Sequence, residues 1–99
     1  MIEGKYNLKM ETPMGEIKGD LELKIVNSKL NGIIEIMGNK NTFSGGSIED
    51  NKFAFSGEFK TMLGNITYEI LGIVQGDIIN IYADTNKGKF RIDGERIKR

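Results

Sequence analysis

The chain has no cysteine and no histidine, and both absences narrow what it can do. Without cysteine there are no disulfides, thiolate nucleophiles or cysteine-ligated metal sites. Without histidine the commonest general base and transition-metal ligand is missing, which leaves carboxylates, lysine and tyrosine for proton transfer. We therefore expect no metal site, no cofactor and no catalytic residues, and we disfavour an enzyme.

Neither a strong net charge nor a long apolar run is present. Fourteen basic residues balance fourteen acidic ones, so nothing draws the whole molecule to nucleic acid or to an anionic membrane. No window approaches the roughly 20 apolar residues of a membrane span, and Met1 to Lys5 contain no apolar run typical of a signal peptide. We expect no nucleic-acid or membrane partner, a cytoplasmic location, and a single domain over residues 1–99.

Apolar and polar residues alternate with a period of two along the whole chain, which is typical of half-buried β-strands. From Lys5 to Glu11, for example, Tyr6, Leu8 and Met10 share one face. Gly, Asn, Asp and Pro clusters separate such segments. The predicted strands are residues 5–11, 17–25, 30–37, 43–48, 53–60, 66–74, 78–84 and 90–96.

Eight short strands without a long connection predict an all-β meander. Closure into an eight-stranded antiparallel up-and-down barrel would remove the two edges that a flat meander leaves exposed. Gly45-Gly46 inside the fourth strand indicates a bulge or bend. The segment 12–15, Thr-Pro-Met-Gly, is echoed by Thr-Met-Leu-Gly at 61–64, which suggests two matching four-strand units, although shared turn chemistry could also produce this similarity.

The two ends of the chain carry Gly4-Lys5-Tyr6 in the first strand and Gly94-Glu95-Arg96 in the last. This pattern resembles the calycin superfamily of lipocalins, fatty-acid-binding proteins and avidins, which open with Gly-x-Trp and pack a late Arg or Lys across that Trp at the closed end. The resemblance implies a lipocalin-like barrel for small apolar ligands, with the Arg96 guanidinium over the Tyr6 ring. Tyrosine replaces tryptophan here, and the lipocalin helix and disulfides are missing, so the avidin-like or bacterial lipocalin-like members are the closer comparison.

The opposite end of the barrel should be its mouth, because alternate loops of a meander lie at the same end. Methionine concentrates there, at Met10, Met14, Met37 and Met62, with Leu63 beside them. Flexible, polarizable methionine suits an opening that adapts to apolar ligands. The alternative is that these side chains simply plug a small barrel.

Two aromatic residues are candidate ligand contacts in the interior. Phe55 belongs to the predicted lining, and the Tyr68 hydroxyl could offer a polar contact in an apolar pocket, unless it is a core tyrosine bonded to the backbone. Glycines on the inward faces either let the sheet coil or leave space for a ligand.

A second surface is predicted on the outside of strands six and seven. Leu71, Ile73, Ile78 and Tyr82 stand there where charges would be expected. A contiguous apolar patch of this kind indicates self-association as a homodimer, unless the chain's own termini cover it. The sequence thus predicts a non-catalytic protein that binds a small apolar molecule. The alternative is a structural or oligomerisation module with a filled barrel, and an enzyme using Tyr68 or Arg96 is the third reading.

Overall fold

The computed structural model describes residues 2–13, 15–36, 38–61 and 64–97, and these form eight β-strands. Each strand pairs antiparallel with the next, and β8 pairs with β1, so the sheet closes on itself. The predicted eight-stranded up-and-down barrel is confirmed. Within the described part of the chain, no helix is long and apolar enough to cross a membrane. The strands are β1 Gly4–Thr12, β2 Gly15–Val26, β3 Lys29–Ile36, β4 Asn39–Glu49, β5 Lys52–Thr61, β6 Gly64–Gln75, β7 Ile78–Thr85 and β8 Gly88–Arg96.

Strand β4 is longer than the sequence predicts. Residues 38–41 read as a turn, because glycine and asparagine favour turns, yet the strand begins at Asn39. Its first residues pair with the end of β3, with Asn39 opposite Ile36 and Asn41 opposite Ile34. The ladder to β3 therefore overrides the local preference of asparagine.

The bulge predicted at Gly45-Gly46 is present. The register between β3 and β4 shifts between Leu30 and Gly32, where Leu30 faces Gly46 and Gly32 faces Phe43. Gly45 has a φ of 74°, in the left-handed region that glycine adopts without strain. The bulge bends β4 just where its pairing with the next strand stops.

Strands β4 and β5 pair only near the closed end. Their register covers Ser47 with Ala54, Ile48 with Phe53 and Glu49 with Lys52. On its other side, β5 pairs with β6 along its whole length. Among the described residues, 39–46 of β4 and 55–61 of β5 share no ladder pair, and we call this stretch the β4–β5 seam.

The half of the barrel toward the closed end is filled with side chains. The Phe43 and Phe55 rings stack with centroids 3.7 Å apart and an interplanar angle of 2°, and Phe53 lies 6.1 Å from Phe55. The ring of Phe53 lies against Gly72, where an added Cβ would come within 2.5 Å of Phe53 Cε1. Glycine here makes room for an aromatic ring of the protein itself. The largest fully buried side chains are Tyr6, Leu21, Leu23, Leu30, Ile79 and Ile81.

Two hairpins at the mouth have turns of the same type. Thr12 Oγ1 donates a hydrogen bond to the Gly15 carbonyl at 2.8 Å, and Thr85 Oγ1 donates to the Gly88 carbonyl at 2.7 Å. The Thr-x-x-Gly pattern thus occurs at a third place, 85–88, beyond the two noted in the sequence. Strands β2 and β6 both have 12 residues, and β3 and β7 both have 8, which agrees with two matching four-strand units.

Candidate functional site

Arg96 and Tyr6 seal one end of the barrel. The guanidinium carbon of Arg96 lies 4.9 Å from the centroid of the Tyr6 ring, which is fully buried. Arg96 Nη1 donates to the Glu3 carbonyl at 2.5 Å, and its Nε lies 3.5 Å from Asp77 Oδ1. The Tyr6 hydroxyl donates to the Ile2 carbonyl at 2.5 Å. One side chain from the last strand therefore holds the N-terminal segment across the barrel end.

The environment of Tyr6 fits this structural role. Burial raises the pKa of its hydroxyl, and the charge of Arg96 opposes that shift only in part. The neutral phenol is the stable form, as a core residue requires. Gly4 is also required here, because its φ is 148° and an added Cβ would clash with Arg96 Nη1.

A cavity of about 190 Å³ lies at the other end, inside the mouth. Its walls come from β1, β3, β4, β6, β7 and β8 and are mostly apolar. Lys87 is the one charged residue that lines it among the described residues. The lining is Met10, Ile34, Ile36, Asn39, Ile66, Tyr68, Ile70, Ala83, Thr85, Lys87, Phe90 and Ile92.

Tyr68 contributes its ring to the wall of this cavity, and Asn41, which the sequence analysis did not single out, holds its hydroxyl. The Tyr68 hydroxyl donates to Asn41 Oδ1 at 2.6 Å, and Asn41 Nδ2 donates to the Glu58 carbonyl at 2.8 Å. Phe55 meets the Tyr68 ring edge to face at 6.1 Å. Burial raises the pKa of Tyr68, so the hydroxyl keeps its proton well above neutral pH. The period-two alternation of β4 points the Asn41 side chain inward and could have identified it. Residues 38–41 read as a turn, however, so the strand was not extended to Asn41.

The structure brings together some of the predicted contact residues. Met10 and Tyr68 both line the cavity, whereas Phe55 lies beneath it in the aromatic stack. Isoleucines of β3 and β6 also line the cavity, at Ile34, Ile36, Ile66 and Ile70. The remaining predicted mouth residues, Met14, Met37, Met62 and Leu63, lie outside the described residues.

The predicted outer surface lies where the pattern puts it. Leu71 and Tyr82 face each other across β6 and β7 and are 61% and 58% exposed. Ile78 is exposed and Ile73 is half-buried. Arg91 lies opposite Tyr82 on β8, with its guanidinium 6.0 Å from the ring. We call Leu71, Ile73, Ile78 and Tyr82 the outer apolar face.

Comparison with solved structures finds designed barrels. A redesigned β-barrel superimposes with a TM-score of 0.75 at 13% identity, over 98% of this chain and 92% of that one. A second redesigned barrel, mFAP1, bound to DFHBI, gives 0.73 at 13% identity, over 97% and 94%. A fluorescence-activating barrel designed de novo gives 0.62 at 13% identity, over 96% and 93%. At this identity the similarity shows the fold alone.

No protein-family model matches the sequence, and no curated protein is similar to it. The function is therefore inferred from the residues of the site itself.

Proposed function

We propose that the protein binds a small apolar molecule in the mouth cavity without catalysing a reaction. The observation that carries the proposal is the cavity of about 190 Å³, walled by isoleucines, Met10 and Phe90, above a filled lower half. An apolar cavity of about 150 Å³ engineered in another protein stays dry and binds benzene. The volume here therefore suits a ligand of one or two rings, held by contacts with an almost wholly apolar wall.

The comparisons and the closed end give further support. One barrel with this fold is bound to DFHBI, so the architecture can hold a small molecule. The contact between Arg96 and Tyr6 supports a calycin-like relationship, because it is the contact that the resemblance implies. We also propose a cytoplasmic location, as expected from the sequence.

Titration with naphthalene tests the proposal. We expect chemical-shift changes in NMR spectra at Ile70, Phe90 and Ile92, because these residues line the cavity. Ala83→Leu should weaken binding by at least about tenfold, since its extra carbons would occupy the space. Ala54→Leu is the matched control, because Ala54 pairs with Leu71 on the outer surface. Equal weakening by both variants, or shifts confined to the outer surface, would contradict binding in the cavity.

We also propose that the outer apolar face mediates self-association, which is the main role if the barrel binds no ligand. Leu71 and Tyr82 are adjacent, and each is more than half exposed. Monomeric proteins seldom expose large contiguous apolar patches, and such patches often mark an interaction surface. Asp93 and Lys89 flank the face on β8, so a second copy would meet both charge signs at the rim. A two-fold dimer that buries the same face on both copies fits these features.

Sedimentation equilibrium at several concentrations checks this prediction. We expect a dimer whose dissociation constant rises by roughly 100-fold in Leu71→Lys, because a charge replaces an apolar residue at the centre of the interface. Ile33→Lys serves as the control, since Ile33 is an exposed isoleucine on β3, away from the face. A monomer at all concentrations would rule out self-association through this face.

A further inference from the structure

The β4–β5 seam is closed by side chains in place of a backbone ladder. Seven of the eight strand pairs have five or more paired residues, whereas β4 and β5 have three, all toward the closed end. Backbone hydrogen bonds between neighbouring strands hold the rest of the barrel together. The seam is therefore the part of the wall that can widen without breaking a ladder.

Among the described side chains, two contacts span the seam. Asn41 reaches from β4 to the Glu58 carbonyl on β5 and accepts from Tyr68 on β6. Beneath it, the stacked rings of Phe43 and Phe55 fill the space between the same two strands. The Asn41 side chain thus links strands β4, β5 and β6 beside the mouth cavity, and we call its two hydrogen bonds the latch bonds.

The outer surface is recessed at the same place. A groove of about 730 Å³ begins at the seam, beside Ser47 of β4 and Ala54 of β5, and continues over β6, β7 and β8, where Leu71 and Tyr82 line it. The residues Ile70, Ala83 and Phe90 line both this groove and the mouth cavity. These three residues lie on the fully paired strands β6, β7 and β8, so the cavity is linked to the seam through Tyr68, whose ring lines the cavity and whose hydroxyl bonds to Asn41.

We infer that the β4–β5 seam is a side entrance to the mouth cavity and that Asn41 controls its opening. The inference deepens the proposed function, since it names the route by which an apolar molecule enters. Opening requires the loss of the two hydrogen bonds of Asn41 and the separation of the Phe43 ring from the Phe55 ring, with the ladders to β3 and β6 kept. Asn41 is in this sense a positioning residue of the wall, and the exchange of molecules with the cavity depends on it.

Labelling of a single introduced thiol tests the inference without any ligand. Ala83→Cys places a thiol on the cavity wall of a chain that has no other cysteine. We expect N-ethylmaleimide to label it slowly, and Asn41→Ala in the same background to speed labelling by about tenfold, because the two latch bonds are lost. Tyr68→Phe removes one of these bonds and keeps the ring, so it should give a smaller acceleration of about threefold.

Two controls separate the seam from other causes. Asn80→Ala removes a comparable side-chain bond, to Asp93 Oδ1 at 2.8 Å, where β7 and β8 are fully paired, and it should leave the labelling rate unchanged. Lys87→Ala trims the rim of the mouth and should also have no effect. Acceleration by Lys87→Ala alone would place the entrance at the mouth, and equal acceleration by Asn80→Ala would show that labelling follows global unfolding. Either result overturns the inference, and neither depends on whether naphthalene binds.

Discussion

Phe55→Ala is expected to lower the free energy of unfolding by about 4 kcal/mol. The ring is buried, stacks on Phe43 and contacts Phe53 and Tyr68, so its removal leaves a cavity that these three aromatic neighbours cannot fill. Urea denaturation measures the loss. A small domain has only about 5–15 kcal/mol of stability, so a loss of this size can unfold much of the protein. Phe55→Leu, which should cost about 1 kcal/mol, is the milder variant for the same measurement.

Phe90→Ala is the matched control for Phe55→Ala. Phe90 is half-buried and lines the mouth cavity, so part of its surface has no packing partner to lose. We expect its removal to cost less than half as much as that of Phe55. If the two substitutions cost the same, the filled lower half and the open upper half would not differ as described.

Arg96→Ala is expected to lower the free energy of unfolding by about 3 kcal/mol. Contact of the guanidinium with the Tyr6 ring contributes about 1 kcal/mol, and the charged hydrogen bond to the Glu3 carbonyl about 2 kcal/mol. Arg96 is also 22% exposed at its side chain, so solvent screens its ion pair with Asp77 only in part. Thermal and urea denaturation both report the loss.

Arg91→Ala provides the comparison for Arg96→Ala, because Arg91 also lies near a tyrosine and pairs with an aspartate, at 3.2 Å from Asp93. Its side chain is 61% exposed, so we expect a change within about 0.5 kcal/mol. A loss at Arg91 equal to that at Arg96 would mean that the seal of the closed end carries no special stability.

The fold was predictable from local alternation, and the contact at the closed end was implied by the resemblance of the two chain ends to the calycin pattern. Tyr6 shares a face with Leu8, and Arg96 with Ile92, so period two alone points both side chains inward. Asn41 was not predictable in this way. Its partners, Glu58 and Tyr68, lie 17 and 27 residues away, and only the closed geometry of the barrel brings them to its amide.

The seam and the cavity escaped prediction for a related reason. The bulge at Gly45 was visible in the sequence, but its effect on the pairing of β4 with β5 depends on how the whole sheet curves. Whether the interior holds a space or a plug depends on volumes that alternation does not measure. Gly72 illustrates this, because the sequence leaves open whether a glycine faces a ligand or, as here, a ring.

The hydrogen bond from Arg96 to the Glu3 carbonyl joins residues 93 positions apart, whereas every hairpin of the meander joins near neighbours. Local hairpins form quickly during folding, and contacts between distant parts of a chain come late. We therefore expect the seal of the closed end to form after the transition state, because it closes almost the whole length of the chain. Arg96→Ala should then raise the unfolding rate and leave the folding rate nearly unchanged, which stopped-flow kinetics measures, since contacts that form late act on unfolding.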